Sequence, residues 1–340
     1  MSCPTAAPRP AGPERRDAAD RTQGDDRAEA TERGLRWLTG ASIGINQILW
    51  ANDDLPELTP LVDPLMILDE MARLGYRGTQ LGSTFPRGER LQTALRERDL
   101  RIAEVYVCLP CTVNGPSVTA LETGRAKLTE LRAVGGDVLV AALPLSPDRV
   151  CVGARATGAD VPRLSEGGIR RLAELLETLG RDARADGHIL AFHHHVGTYV
   201  ETPEELDRLM DATDPDLVGL CLDVGHYVLA GGDPVAAIRR YGERVRHVHL
   251  KDVDPAVARR MHDGAINGFL DGLRERVFTE LGNGTLNVTG VLAALAQRDY
   301  HGWLIVEHDT TWRPPSESAA ISRAIVDFVL RELPRPQFAA

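Results

Sequence analysis

The chain lacks any apolar run that approaches the roughly 20 residues of a membrane span, and its first residues lack the apolar core of a secretory signal. It also lacks a basic excess. Lys and Arg number 39 against 49 Asp and Glu, a balance of -10 that opposes a nucleic-acid groove and favours an uncharged small molecule as partner. Cysteine is scarce: the five (Cys3, Cys108, Cys111, Cys151, Cys221) are odd in number and have no framework spacing, which suits a reducing compartment, so a cytoplasmic location is expected. Cys108-Leu-Pro-Cys111 has the C-x-x-C spacing, but no second pair completes four zinc ligands. The plainer reading ends a buried strand at Cys108 and leaves Cys111 in the following loop. A phosphate-binding glycine loop is missing as well, because Ile43-Gly-Ile-Asn-Gln47 leads only to Trp50-Ala-Asn-Asp-Asp54. An open dinucleotide-binding sheet would usually carry such a loop after its first strand.

Residues 1–34 are rich in Pro, Ala, Arg and Asp and hold almost nothing large and apolar, so they read as a disordered tail. One domain is expected from residue 35 to about 335. Within it, short β-branched or apolar runs alternate with helically periodic stretches, the pattern of parallel βα units. Eight strands are expected near Ile43–Leu49, Thr79–Leu81, Ile102–Cys108, Val138–Ala142, Ile189–His193, Leu217–Asp223, Val245–Lys251 and Leu304–Glu307. Thr202-Pro-Glu-Glu205 and Asp233-Pro234 have the form of helix starts. Eight such units close into a (β/α)₈ TIM barrel of the α/β class. The stretch at about 252–287 is far too long for an ordinary βα loop and reads as an insertion, either a substrate lid or a plain surface excursion.

Catalytic groups of such a barrel sit at the C-terminal ends of its strands, and here those ends are unusually polar. Strand five ends in His193-His194-His195, strand six in Asp223 with His226 beyond it, strand seven in His247, His249 and Lys251, and strand eight in Glu307-His308-Asp309. Most of the chain's ten histidines therefore gather at these strand ends. Any one of them alone reads as a satisfied core histidine. Asp223, His249 and Glu307 together read as ligands of one divalent cation, with Mn²⁺, Co²⁺, Zn²⁺ or Fe²⁺ suiting mixed imidazole and carboxylate donors. Strand alternation puts His247, His249 and Lys251 on one face, with His247 deeper.

The segments Cys221-Leu-Asp-Val-Gly-His226, His247-Val-His-Leu-Lys-Asp252 and Trp303-Leu-Ile-Val-Glu307 resemble the xylose-isomerase-like barrels of sugar isomerases, epimerases and dehydratases. Trp50-Ala-Asn-Asp-Asp-Leu-Pro-Glu57, Phe192-His-His-His-Val-Gly-Thr198 and the run from Asp207 to Gly219 more narrowly resemble the inosose dehydratase family, with similarity from about Ile43 to Leu333. The resemblance implies His193 as a fourth ligand beside Asp223, His249 and Glu307, with Mn²⁺ or Co²⁺ foremost. It also implies glutathione as an accessory cofactor and a homodimer or homotetramer. The expected reaction is dehydration of an inosose or related keto-cyclitol through an enediolate; sugar or inosose epimerisation at the same site is the rival. A metal-dependent abasic-site nuclease and a non-catalytic binding barrel are the more distant readings. Glu307, His195, Lys251 and His226 are the expected catalytic residues, and Trp50, Asn52, Asp53 and Gln80 the expected substrate wall. Three departures fall where substrate should be read: Gln80 in place of a family Glu, the stretch Thr279–Gly284, and His308-Asp-Thr-Thr311.

Overall fold

The computed structural model describes residues 38, 40–53, 55–58, 62–158 and 160–333, so the expected tail at 1–34 lies outside the described residues. All eight expected strands form: β1 (Ser42–Ile45), β2 (Gly78–Gln80), β3 (Arg101–Cys108), β4 (Val138–Ala142), β5 (Ile189–His193), β6 (Gly219–Asp223), β7 (Val245–Leu250) and β8 (Trp303–Val306). Every neighbouring pair is parallel, and β1 closes on β8 to complete the barrel. Helices α1 (Pro64–Arg73), α2 (Glu89–Glu97), α3 (Ala120–Val134), α4 (Glu166–Ala185) and α5 (Pro203–Asp211) follow the first five strands. They continue with α6 (Val224–Leu229), α7 (Pro234–Tyr241), α8 (Pro255–His262), α9 (Phe269–Arg274), α10 (Val288–Ala296) and α11 (Pro315–Glu332). Among the described residues no helix is long and apolar enough to cross a membrane.

Local chemistry sets the element ends. β1 stops at Ile45, short of the expected Leu49, because the Asn46 side chain accepts the Ile48 N–H and turns Gln47–Leu49 into a 3₁₀ helix. The Thr202 start is a full capping box, Thr202 and Glu205 each bonding the other's backbone N–H, with Pro203 at the first helical position. α4 buries Ile169, Leu172, Ala173, Leu176, Leu179 and Ala183, a stripe at helical spacing laid against the barrel wall. At the base of the barrel, a Cβ on Gly78 would stand 2.5 Å from the Trp303 ring, so only glycine lets that indole cross the short second strand.

The insertion after β7 is folded. Asp252–Val253 pairs antiparallel with Phe278–Thr279, and α8 and α9 lie between. Val253, Met261, Ile266, Phe269, Leu273, Val277 and Phe278 pack into a separate apolar cluster that reaches Val196 and Leu229 of the barrel loops. Asp252 holds its ends together, accepting N–H bonds from Val253, Gly282, Gly284 and Leu286 at 2.8–3.1 Å.

A buried ion pair ties two mouth loops. Arg149, after β4, is fully buried and gives Glu205 two hydrogen bonds of 2.7 and 2.9 Å, with Glu201 at 3.6 Å. Burial pushes Glu201 up to about 7 despite N–H bonds from Gly197 and Ala154. Removing Arg149 would leave Glu201 without a cation and Glu205 with only the part-exposed Arg163 at 3.4 Å, and breaking such a pair costs about 3–5 kcal/mol. Arg149→Met is therefore expected to lower unfolding free energy by about 3–5 kcal/mol in urea titrations; a loss under about 1 kcal/mol would refute this role.

Candidate active site

Asp223 ends β6 and caps α6, its Oδ1 accepting the His226 N–H at 2.8 Å. That cap commits one carboxylate oxygen and turns the other, Oδ2, toward the barrel axis. The β6–β7 register sets Asp223 beside His249, and the β7–β8 register sets His249 beside Ile305, two residues before Glu307. His249 Nδ1 consequently lies 2.8 Å from Glu307 Oε2 and 3.7 Å from Asp223 Oδ2. Asp223, His249 and Glu307 offer ligand atoms that lie within 4.8 Å of one another. His193 brings its Nε2 to 3.5 Å from Asp223 Oδ2 and forms a second ligand-capable group with Cys221 and His249.

Asp223 Oδ2, His249 Nδ1 and Glu307 Oε2 are buried and, for all their closeness, make no hydrogen bond of good geometry among the described residues. Buried polar atoms are rarely left so, since each costs about 1–3 kcal/mol. Three such atoms converging, all with lone pairs, fit a cation.

The charge balance agrees. Lys251 Nζ, fully buried, lies 3.0 Å from Glu307 Oε1, 3.0 Å from Asp309 Oδ2, 3.3 Å from Asp223 Oδ2 and 3.2 Å from His226 Nε2. One ammonium thus faces three carboxylates. Burial works against its charge, but Asp223, Asp309 and Glu307 outweigh that and hold its pKa well above the ordinary lysine value. Burial likewise opposes ionised Asp223 and Glu307, and Lys251 above all keeps both well below the usual carboxylate range. Burial opposes a charged His249 too, yet the carboxylates of Glu104 and Glu307 hold its pKa far above that of a free imidazole. These charges draw a proton to the place that a divalent cation would take.

An open cavity lies over this cluster, with His193, His249, Glu307 and Asp309 in its lining. Asn46, Asp53, Gln80, Tyr106, Cys108, Leu143 and Leu145 form much of the remaining wall, and His195 faces in beside them. His195 Nδ1 sits 2.7 Å from the Val196 carbonyl, which can only accept. The proton is on Nδ1, leaving the Nε2 lone pair available. Its ring centroid is 3.7 Å from that of His226, and Phe269 and Phe278 of the insertion cover the pair. Burial, with His193 and Lys251 adding to it, takes His195 down to about 3, and burial and His195 hold His226 well below the ordinary value. Both are neutral imidazoles near pH 7.

Residues 68–330 match the family described as xylose isomerase-like TIM barrel. An inosose dehydratase of Lacticaseibacillus casei is 36% identical over 289 residues, covering 84% of this chain and 96% of that one. The chain belongs to the inosose dehydratase family of xylose isomerase-like barrels. Solved structures share the fold at lower identity. A probable 3-DHS dehydratase from Bacillus anthracis superposes with TM-score 0.63 at 13% identity, covering 84% of this chain and 98% of that one. D-allulose 3-epimerase from Methylomonas sp. gives 0.62 at 17%, covering 85% and 98%.

Within this family frame, the expected substrate wall needs correction. Asp53 and Gln80 line the cavity, Asp53 bonded to Ser83 and Gln47, Gln80 to Asn46. Trp50 does not: it is buried in the core and its indole N–H bonds Glu70 of α1 at 2.5 Å. Asn52 lies behind the wall too, bonding the Asp309 carbonyl and the Leu55 N–H and so joining two loops. Lys251 and His226 stand beneath the cavity floor rather than on its lining. Of the three departures, Gln80 and Asp309 reach the cavity. The Gly282–Gly284 turn instead wraps Asp252, and His308 points away to Ser322. Cys108 does end β3 and lines the cavity, whereas Cys111 opens a two-residue hairpin strand, its thiol pushed up to about 11 by burial.

Asn46, Tyr106 and Glu104 are the site residues that sequence reasoning passes over. Period-two alternation along β3 puts Glu104, Tyr106 and Cys108 on one face, the same signal that locates His249 on β7.

One glycine fixes the cluster. A Cβ on Gly225 would fall 2.7 Å from the Lys251 Cβ and 2.9 Å from its carbonyl oxygen. Gly225→Ala must push Lys251 off its carboxylates, and displacements of this size cost about 100-fold in rate. Activity is expected to fall about 100-fold with helical circular dichroism intact; retention of more than half would refute the packing argument.

Proposed function

We propose that this enzyme is a hydro-lyase that removes water from an inosose or a closely related keto-cyclitol, with Asp223, His249, Glu307 and His193 holding one divalent cation. The observation that carries the reading is the convergence of three unsatisfied buried ligand atoms beneath a cavity that His195 enters with a bare Nε2. The family's relatives named for that reaction support the substrate class. Two imidazoles and two carboxylates suit Mn²⁺ or Co²⁺, then Zn²⁺ or Fe²⁺. Such a cation would act as a Lewis acid on the ketone, stabilising charge that develops on its oxygen.

The remaining work falls to the chain's own groups. His195 Nε2 takes the proton α to the ketone; among the described residues no lysine or arginine lines the cavity. The imidazolium so formed is then the acid at hand, returning the proton to the departing β-hydroxyl so that water leaves. Glu307, whose Oε2 faces the same space, is the second candidate base. His226, whose ring lies tilted against that of His195, orients it, while Lys251 keeps Asp223 and Glu307 ionised. Asn46, Asp53 and Gln80 are placed to bond substrate hydroxyls.

Epimerisation begins with the same proton removal and differs in returning that proton to carbon, and the amide of Gln80 in place of a family carboxylate keeps it as the second reading. Purified protein loaded with Mn²⁺ or Co²⁺ and given scyllo-inosose should develop the ultraviolet absorbance of an enolised dione. Interconversion of isomers without that absorbance would overturn dehydration in favour of epimerisation. Chelation should abolish turnover and added Mn²⁺ or Co²⁺ restore it. His195→Ala is expected to lower kcat by about 10²–10⁴-fold with little change in KM, the range for loss of a general base.

A further inference from the structure

Glu104 takes no part in the chemistry above, yet it is a fully buried carboxylate in direct contact with the site. It projects from β3 into the barrel and reaches β7, four strands away around the ring in either direction. Its Oε2 meets Nε2 of His247 and, at 2.9 Å, Nε2 of His249. A carboxylate at this depth, among the apolar side chains Val138, Val140 and Ala191 that fill the lower barrel, is no packing device, since burying a charge costs several kcal/mol unless partners repay it.

An ionised carboxylate only accepts, so the proton at the Glu104–His249 contact belongs to Nε2. A neutral ring then has its one lone pair on Nδ1, the atom facing Glu307 Oε2 and Asp223 Oδ2. We propose that Glu104 is a positioning residue that selects this tautomer of His249 and fixes its ring plane, so that Nδ1 is presented to a cation shared with Asp223 and Glu307. His247 is the second arm of the device: bonded to the same oxygen from deeper in the barrel, it keeps the carboxylate from swinging away. The inference rests on the cation site proposed above.

Cobalt titration of the metal-free full chain separates the two. Wild type should bind one Co²⁺ with visible d–d bands; if it binds none, or if Asp223→Asn binds with the same affinity and bands, the cation site fails and the role of Glu104 falls with it. Given a wild-type site, Glu104→Gln should weaken Co²⁺ by about 10–100-fold, the usual effect of losing a partner that orients a ligand. The band positions at saturation should stay as in wild type, because the ligands themselves remain. Glu104→Asp, which keeps the charge but withdraws it by one methylene, should weaken binding likewise. Affinity within threefold of wild type in either folded variant overturns the proposal. Should neither variant fold, ¹⁵N-histidine spectra of the Zn²⁺-loaded wild type decide: His249 must carry its proton on Nε2, and a proton on Nδ1 overturns the assignment.

Discussion

Everything at the mouth of this barrel answers to the burial of like charge. Asp223, Glu307 and Asp309 crowd around one buried ammonium beneath the cavity, and Glu104 adds a fourth carboxylate just below. In such surroundings uncompensated anions are too costly to persist, so they must be matched by cations or protons. Lys251 supplies one unit of positive charge and His249, drawn toward protonation, a second. The same excess that must be neutralised would favour a divalent ion, so stability and the proposed cation site are one electrostatic problem.

The closed barrel is what brings these groups together. Neighbouring strands contribute Asp223, His249 and Glu307 through register, while Glu104 reaches His249 from the opposite wall, which an open sheet could not arrange. The strand ends supply the ligand-capable groups, and Glu104 in the layer beneath bonds one of them.

Much of this is legible in residues. Apolar runs at regular spacing mark all eight strands, and polar residues at their ends locate Asp223, His249 and Glu307, because both signals are periodic and local. Trp50 and Asn52 defeat such a reading for the opposite reason: they lie in an irregular turn, where spacing says nothing about direction, and Trp50 meets Glu70 of a helix rather than the cavity. Glu104 has a readable signal in the alternation of β3 but nothing to single it out, since its partners His247 and His249 lie more than 140 positions away in the chain. The insertion's length is plain, but its packing over His195 and His226 depends on Phe269 and Phe278, whose partners only the fold reveals.

The insertion has a small apolar core of its own and is fastened at its root by a single side chain, Asp252. Between Pro255 and Val277, Phe269 is the residue that touches the site, through the rings of His195 and His226. Among the described residues the insertion lends no side chain to the cavity wall, so a change in its small core is felt at the site only as a shift of the His195 and His226 rings.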